Sequence, residues 1–218
     1  MPAFLFDSPL YAITPDLADD PQLLSLAEAA LEAGATLLQY RDKISPPAQR
    51  VVRARALRAL CHQYQARLIV NDDLVLAVAC GADGVHLGGT DGSIRDARRL
   101  LPPDMIIGAS CYNELGLAEK ALADGASYVA FGACFDSPTK PAARRVSIEQ
   151  LAAFREALGP DVAICGIGGI TLGNVAQLEG KVDAVALISE LFGSPQKPHT
   201  PEQVQQQVRQ FLAEPATA

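Results

Sequence analysis

Apolar and polar positions along this chain form one repeating unit: a short apolar run, a polar loop, and then a stretch with apolar residues at helical spacing. Eight apolar runs have the length of strands: Leu10–Ile13, Thr36–Gln39, Arg67–Val70, Gly84–Leu87, Ile106–Ala109, Tyr128–Phe131, Val162–Cys165 and Ala184–Ile188. The runs are too uniformly apolar to have one face in water, which indicates strands of a parallel sheet covered on both faces.

The stretches between the runs have the spacing and the end signals of helices. In the first, Asp20 is a candidate N-cap, Pro21 takes the first helical position and Gly34 ends the helix. The later helices are predicted at Pro47–Tyr64, Leu74–Cys80, Ser93–Leu101, Glu114–Asp124, Ser147–Leu158, Leu172–Leu178 and Pro201–Leu212. Eight alternating units predict an α/β fold, a closed (β/α)8 TIM barrel, with an open doubly wound sheet as the alternative.

Length and composition fit a single domain over 1–218, with the barrel at about 10–212 and a short loose tail after it. The net charge of -7 argues against nucleic acid or an anionic membrane as a partner. The chain has no apolar run long enough to span a membrane and no signal-peptide pattern, so a cytoplasmic location is predicted. Five scattered cysteines without a CxxC pair fit neither a disulfide framework nor a thiolate zinc site.

Polar residues collect where each predicted strand ends, which is where a barrel of this kind carries its active site. After the second strand, alternation places Gln39, Arg41 and Lys43 on one face, and Tyr40 and Asp42 on the other. The first face has two cations, an amide and no carboxylate of its own. If that face is buried, an anionic ligand is expected there; alternatively, the strand end runs into water and the cations are solvated.

Two carboxylates follow the next two strands. Asp72 and Asp91 can converge at the same end of the barrel with no evident cation beside them, and paired carboxylates suit a hard divalent ion such as Mg²⁺. The alternative is that one or both cap the following helix, as Asp91 could for Ser93–Leu101.

The last two loops indicate an anion site. Glycines between Gly166 and Gly169 permit close approach of the backbone, and a helical turn could begin at Ser189, so backbone N–H groups from both loops could cradle a phosphate. Glycines needed only for the turn are the alternative explanation.

Three further positions lie near the predicted mouth. Lys140, on a loop with two hydroxyl side chains, is either a further cation over the mouth or a solvated lysine. His86 lies within the fourth strand and is interpreted as a hydrogen-bonded core histidine. Cys134 has no histidine partner at a recognisable spacing, so a covalent thiol role is not expected.

In this setting the chain resembles the thiamine phosphate synthase family over nearly its whole length. The motifs that carry the resemblance are Gln39-x-Arg41-x-Lys43, Asn71-Asp72, Gly84-Val85-His86-Leu87-Gly88 followed by Asp91, Gly108-x-Ser110, Ser137-Pro138-Thr139-Lys140 and Gly166-Ile167-Gly168-Gly169-Ile170-Thr171. The resemblance implies a (β/α)8 enzyme that joins a pyrimidinylmethyl diphosphate to a thiazole phosphate and releases diphosphate.

The resemblance also implies roles for individual residues. The pyrimidine diphosphate would be held by Gln39, Arg41, Lys43, Asn71, Ser110 and Lys140. Asp72 and Asp91 would hold Mg²⁺. The thiazole phosphate would be contacted by Ser137 and Thr139, and the phosphate carried into the product by Gly169, Ile188 and Ser189. Arg41, Lys43, Ser110 and Lys140 are the catalytic candidates.

Two other functions are compatible with the barrel. A thiazole tautomerase shares the phosphate loop but joins no second substrate, and it would not need the cationic face together with both aspartates. A non-catalytic sensor of phosphate ligands is the other alternative, which the acidic pair argues against. Small-molecule substrates are therefore the predicted partners, and a homo-oligomer is possible.

Overall fold

The computed structural model describes residues 6–89, 91–136 and 145–213. Within these ranges, eight parallel strands close into a barrel in the order of the chain. They are β1 (Leu10–Ile13), β2 (Leu37–Tyr40), β3 (Arg67–Asn71), β4 (Gly84–Leu87), β5 (Ile106–Tyr112), β6 (Tyr128–Phe131), β7 (Ile164–Ile167) and β8 (Ala184–Leu187). The predicted TIM barrel is confirmed.

Helices surround this barrel. In the same part of the chain they are α1 (Asp20–Glu32), α2 (Pro47–Gln63), α3 (Leu74–Cys80), α4 (Ile94–Leu100), α5 (Leu115–Ala123), α6 (Ile148–Leu158), α7 (Ser189–Phe192) and α8 (Pro201–Ala213). None of the helices in the described ranges is long and apolar enough to cross a membrane.

The apolar residues form two cores, one on each side of the strands. The larger core lies between the helices and the outer faces of the strands. The smaller core fills the barrel and includes Tyr11, Ile69, Ile106 and Tyr128. Because side chains alternate along a strand, the inner face of β2, β3 and β5 ends on Gln39, Asn71 and, before a register shift, Ser110. Apolar side chains thus fill the interior of the barrel, and polar side chains lie at the carboxyl end of its strands.

Two local predictions about α1 and β7 are wrong. The N-cap of α1 is Asp19, whose carboxylate accepts from the backbone N–H of Gln22 at 2.9 Å, and Asp20 instead contacts Arg53. Strand β7 begins at Ile164, later than predicted. Before it, Arg155 donates to the carbonyl of Val162 at 2.8 Å, and the Ala163 carbonyl already accepts from Val129 of β6 at 3.1 Å.

Two further elements differ from the sequence pattern. The helix predicted at Leu172–Leu178 is a short 3-10 turn over Val175–Leu178, which follows a tight turn closed by the Asn174 side chain on the backbone N–H of Thr171. A two-residue antiparallel hairpin, β9 (Gly193–Ser194) with β10 (Lys197–Pro198), was not predicted, since pairs this short carry no apolar periodicity.

Candidate active site

The two cations that follow β2 are each paired with a carboxylate from another loop. Arg41 Nη1 lies 2.6 Å from Asp16 Oδ2, and the Lys43 ammonium contacts Asp72. The expectation that the acidic pair has no cation beside it is therefore wrong. Lys43 and Asp72 come from successive strand ends, and parallel strands bring such ends together whatever their separation in sequence.

The end of β1 holds this cationic segment in position. Thr14 Oγ1 accepts from the Arg41 backbone N–H at 3.0 Å and donates to the Arg41 carbonyl at 3.1 Å. Asp16 Oδ1 accepts from the Lys43 backbone N–H at 2.8 Å. Sequence reasoning did not single out Thr14 or Asp16, although their place directly after the first strand was an available signal.

Tyr40 and Asp42 take the opposite face, as strand alternation predicts, and they contribute to a buried polar cluster. Arg53, 2% exposed on α2, donates to Asp42 at 2.9 Å and to the carbonyl of Leu17 at 2.8 Å. Burial raises the pKa of Asp42, but hydrogen bonds from the backbone and hydroxyl of Ser45 and from Tyr40 outweigh it, and the pKa falls to about 2. The cluster fixes the loop that carries Arg41 and Lys43.

Asp72 and Asp91 lie next to each other at the carboxyl ends of β3 and β4. Asn71 Nδ2 donates to Asp72 at 2.6 Å, and the Gly88 backbone N–H donates to Asp91 at 3.1 Å. Burial and then the adjacent Asp72 carboxylate raise the pKa of Asp91. Helix α4 is capped by Ser93 and not by Asp91, so capping does not explain this carboxylate.

This donor set fits a hard divalent cation. Two oxygen-donor side chains with mutually unfavourable charges gain from a shared cation, and Mg²⁺ needs few protein ligands because it keeps several waters. In the described part of the chain, no group of three or more histidine, cysteine, aspartate or glutamate side chains forms a fuller metal site.

Ser110 lies at the same end of the barrel, on β5, in contact with His86. His86 Nε2 is 2.9 Å from Ser110 Oγ, and its Nδ1 is 2.8 Å from the Tyr128 hydroxyl. Burial lowers the pKa of His86 to about 4, although the charge of Asp72 partly opposes this. The imidazole is thus neutral near pH 7 and bonded at both nitrogens, as expected for a core histidine.

Tight packing accounts for the glycines after β7. Gly168 and Gly169 have positive φ values of 99° and 65°, and a Cβ on Gly169 would lie 2.4 Å from the carbonyl oxygen of Asp136. The turn alone therefore requires glycine. Beside it, Ser189 begins α7, directly after Ile188. Ser137, Thr139 and Lys140 lie outside the described residues.

Comparison with known proteins places these features in a family. A family model described as thiamine monophosphate synthase matches residues 10–191. The thiamine-phosphate synthase of Methylobacillus flagellatus is 50% identical over 203 residues, 93% of this chain and 92% of that protein. That of Thiobacillus denitrificans is 47% identical over 212 residues, 96% of this chain and 98% of its own.

A solved structure agrees. The thiamine phosphate pyrophosphorylase of Pyrococcus furiosus superposes with a TM-score of 0.76 at 32% identity, over 94% of this chain and 96% of that one. The family match spans all eight barrel strands, and these two curated relatives are similar over more than nine tenths of their length. This chain therefore belongs to the thiamine monophosphate synthase family.

Proposed function

We propose that this enzyme condenses 4-amino-2-methyl-5-(diphosphomethyl)pyrimidine with a thiazole phosphate, forming thiamine phosphate and releasing diphosphate. The names of the curated relatives support this reaction. The observation that carries it is the meeting of two cations, two carboxylates and a hydroxyl at the carboxyl ends of β2 to β5. A diphosphate bound between a cation pair and a metal ion needs this combination.

In this function the cations exchange partners when substrate binds. Arg41 and Lys43 turn from Asp16 and Asp72 toward the diphosphate, which carries more negative charge than a carboxylate. Gln39, Asn71 and Ser110 hold the pyrimidine side of the same substrate, since they end the inner faces of β2, β3 and β5. Asp72 and Asp91 would hold Mg²⁺, which supplies positive charge where the leaving diphosphate develops negative charge.

The second substrate is assigned to the other side of the mouth. Gly169, Ile188 and Ser189 contact the phosphate that is carried into the product. They follow the ends of β7 and β8, which pair with each other, and this position supports the role. Ser137 and Thr139 contact the thiazole phosphate, and Lys140 adds a cation for the diphosphate.

The chemistry is dissociative. Departure of diphosphate leaves a benzyl-like cation that the amino-substituted pyrimidine stabilises, and the thiazole nitrogen then attacks that carbon. Arg41 and Lys43 stabilise the negative charge that grows on the departing oxygen, and the barrel mouth aligns the two substrates. No general base is required, which is compatible with a neutral His86 whose two nitrogens are already hydrogen-bonded.

The test is a diphosphate-release assay on the purified protein. With both substrates and Mg²⁺, we expect equimolar diphosphate and thiamine phosphate, loss of turnover after chelation, and recovery when Mg²⁺ is restored. A tautomerase would convert a thiazole carboxylate alone and release no diphosphate. A sensor would bind ligand without any product, and either result would overturn the proposed reaction.

A further inference from the structure

A continuous hydrogen-bond chain crosses the interior of the barrel beneath the candidate active site. Gln39 Nε2 donates to the Tyr11 hydroxyl at 2.8 Å, and that hydroxyl lies 2.9 Å from the Tyr128 hydroxyl. Tyr128 contacts His86 Nδ1 at 2.8 Å, and His86 Nε2 contacts Ser110 Oγ at 2.9 Å. The chain therefore begins and ends on two of the residues assigned to the pyrimidine diphosphate.

The barrel is built around this chain. Tyr11 and Tyr128 are 1% and 0% exposed, and their rings meet edge to face at 6.0 Å. A Cβ on Gly108 would lie 2.3 Å from the Tyr128 hydroxyl oxygen and 2.5 Å from His86 Nδ1. The contact between Tyr128 and His86 thus occupies the volume that any larger residue at position 108 would fill.

One orientation of the protons gives every donor in the chain an acceptor. Tyr11 accepts from Gln39, so its own proton points to Tyr128, and the Tyr128 proton then points to His86 Nδ1. A neutral imidazole that accepts at Nδ1 carries its proton on Nε2 and donates it to Ser110 Oγ. The Ser110 hydroxyl proton is left to point into the mouth.

Gln39, at the other end of the hydrogen-bond chain, is oriented by the same contacts. The Gln39 amide group is planar, so its bond from Nε2 to Tyr11 determines on which side the carbonyl oxygen lies. The mouth then presents an acceptor from Gln39 and a donor from Ser110, which matches a heterocycle with an amino group and ring nitrogens.

We propose that Tyr11, Tyr128 and His86 are positioning residues that fix Ser110 as a hydrogen-bond donor and Gln39 as an acceptor toward the pyrimidine substrate. Their role in turnover rests on the proposed function. The direction of the protons does not, because it is a property of the protein without substrate.

The first experiment measures that direction. Two-dimensional ¹H–¹⁵N NMR of the imidazole nitrogens distinguishes the two neutral tautomers, and the protein has only three histidines to assign. We expect His86 to carry its proton on Nε2 in the wild-type protein and in Tyr11→Phe, which keeps the Tyr128 hydroxyl. In Tyr128→Phe the Nδ1 contact is lost, and a mixture of tautomers is expected. A wild-type proton on Nδ1 would overturn the proposal.

The second experiment tests whether the hydrogen-bond chain affects turnover through Ser110. Tyr128→Phe keeps the ring and removes one hydroxyl, and we expect kcat/KM for the pyrimidine diphosphate to fall about tenfold while KM for the thiazole phosphate is unchanged. In a Ser110→Ala background the same substitution should change kcat/KM less than twofold, because residues that act as a unit are not additive.

Tyr64→Phe is the matched control, since it removes an exposed hydroxyl that donates to Glu28 at 3.3 Å, and it should leave both kinetic constants unchanged. A tenfold loss that persists in the Ser110→Ala background, or an equal effect on both substrates, contradicts the positioning role. If the wild-type protein releases no diphosphate, the proposed function fails while the NMR result still decides the proton direction.

Discussion

Arg41 and Lys43 are held by carboxylates before any substrate is present. Each side chain is therefore already restricted in the free protein, and binding of a diphosphate would require it to exchange one negatively charged partner for another. The pairing partners are also exchangeable, because both ion pairs remain partly exposed to solvent.

At the same scale, replacing Arg41 by alanine removes one of the charges assigned to the leaving diphosphate. We expect kcat/KM to fall by on the order of a hundredfold, or about 2.7 kcal/mol of transition-state stabilisation, measured by steady-state diphosphate release. Arg99→Ala is the control, because the Arg99 side chain is 72% exposed and its contact with Asp96 is long, at 3.8 Å. Equal activity of the two variants would exclude Arg41 from the site.

The acidic pair gives a second prediction about single residues. Because Asp72 and Asp91 are assigned to the metal, the double replacement Asp72→Ala with Asp91→Ala should abolish turnover, and added Mg²⁺ should not restore it. The control is a double alanine variant at Asp96 and Asp104, both exposed at the surface. Turnover that still rises with Mg²⁺ in the site variant would remove the metal assignment.

Among the elements, α2 anchors the active-site loop from outside the barrel. Its Arg53 contacts carbonyls and carboxylates from two loops, the β1–α1 loop through Leu17 and the β2–α2 loop through Asp42. Arg53 is paired with Asp42 and also with Asp20, whose carboxylate is more exposed. Removing the buried Asp42 charge leaves the guanidinium only partly compensated, which is destabilising.

Asp42→Asn tests this anchor. The substitution keeps the shape but removes the buried negative charge, so the free energy of unfolding should fall by about 3 kcal/mol in urea denaturation at pH 7. Asp96→Asn, at an exposed surface pair, should change it by less than about 0.5 kcal/mol. A stable Asp42→Asn protein would show that Arg53 is compensated without it.

The lowered pKa of Asp42 also makes the free energy of unfolding depend on pH. It is lowered from 3.8 to about 2 in the folded protein, so its contribution to stability is complete above pH 4 and is lost as the pH falls toward 2. The contribution is about 2 kcal/mol. We expect the stability difference between the wild type and Asp42→Asn to shrink over this interval, and a constant difference would contradict the lowered pKa.

These elements also show which parts of the fold and of the candidate site the sequence pattern predicts. Eight uniformly apolar runs were sufficient for the barrel, and the strand ends indicated Arg41, Lys43 and Asp72 because topology alone brings strand ends together. Arg53 was not found, since α2 shows only its helical pattern and the partners of Arg53 lie in distant loops. Tyr11 and Tyr128 were counted as apolar strand residues, and only the closed barrel shows that their hydroxyls meet.

For the molecule as a whole, the two cations at the barrel mouth are a local feature of a chain with a net charge of -7. In the proposed function, anionic substrates would therefore gain their affinity at short range, from the cations at the strand ends and the metal, and not from the overall field. A ligand that binds the folded protein and not the unfolded chain raises the free energy of unfolding of the whole barrel.

Ligand-linked stability gives the test at this scale. Inorganic diphosphate with Mg²⁺, at about a hundred times its dissociation constant, should stabilise the protein by about 2.7 kcal/mol and raise Tm by several degrees. The same addition should raise Tm much less in Arg41→Ala and fully in Arg99→Ala. Equal shifts in the two variants would place the anion elsewhere on the protein.

The contact between Lys43 and Asp72 has one more consequence. In the proposed function, the ion at Asp72 and the diphosphate at Lys43 must each separate the same two side chains. Whichever ligand arrives first bears the cost of that separation, and the second arrives at a site already opened. Their affinities are consequently coupled, and thermodynamic linkage requires the coupling to be the same in both directions. The resting ion pair would thus raise the affinity for metal when substrate is bound, and equally the affinity for substrate when metal is bound.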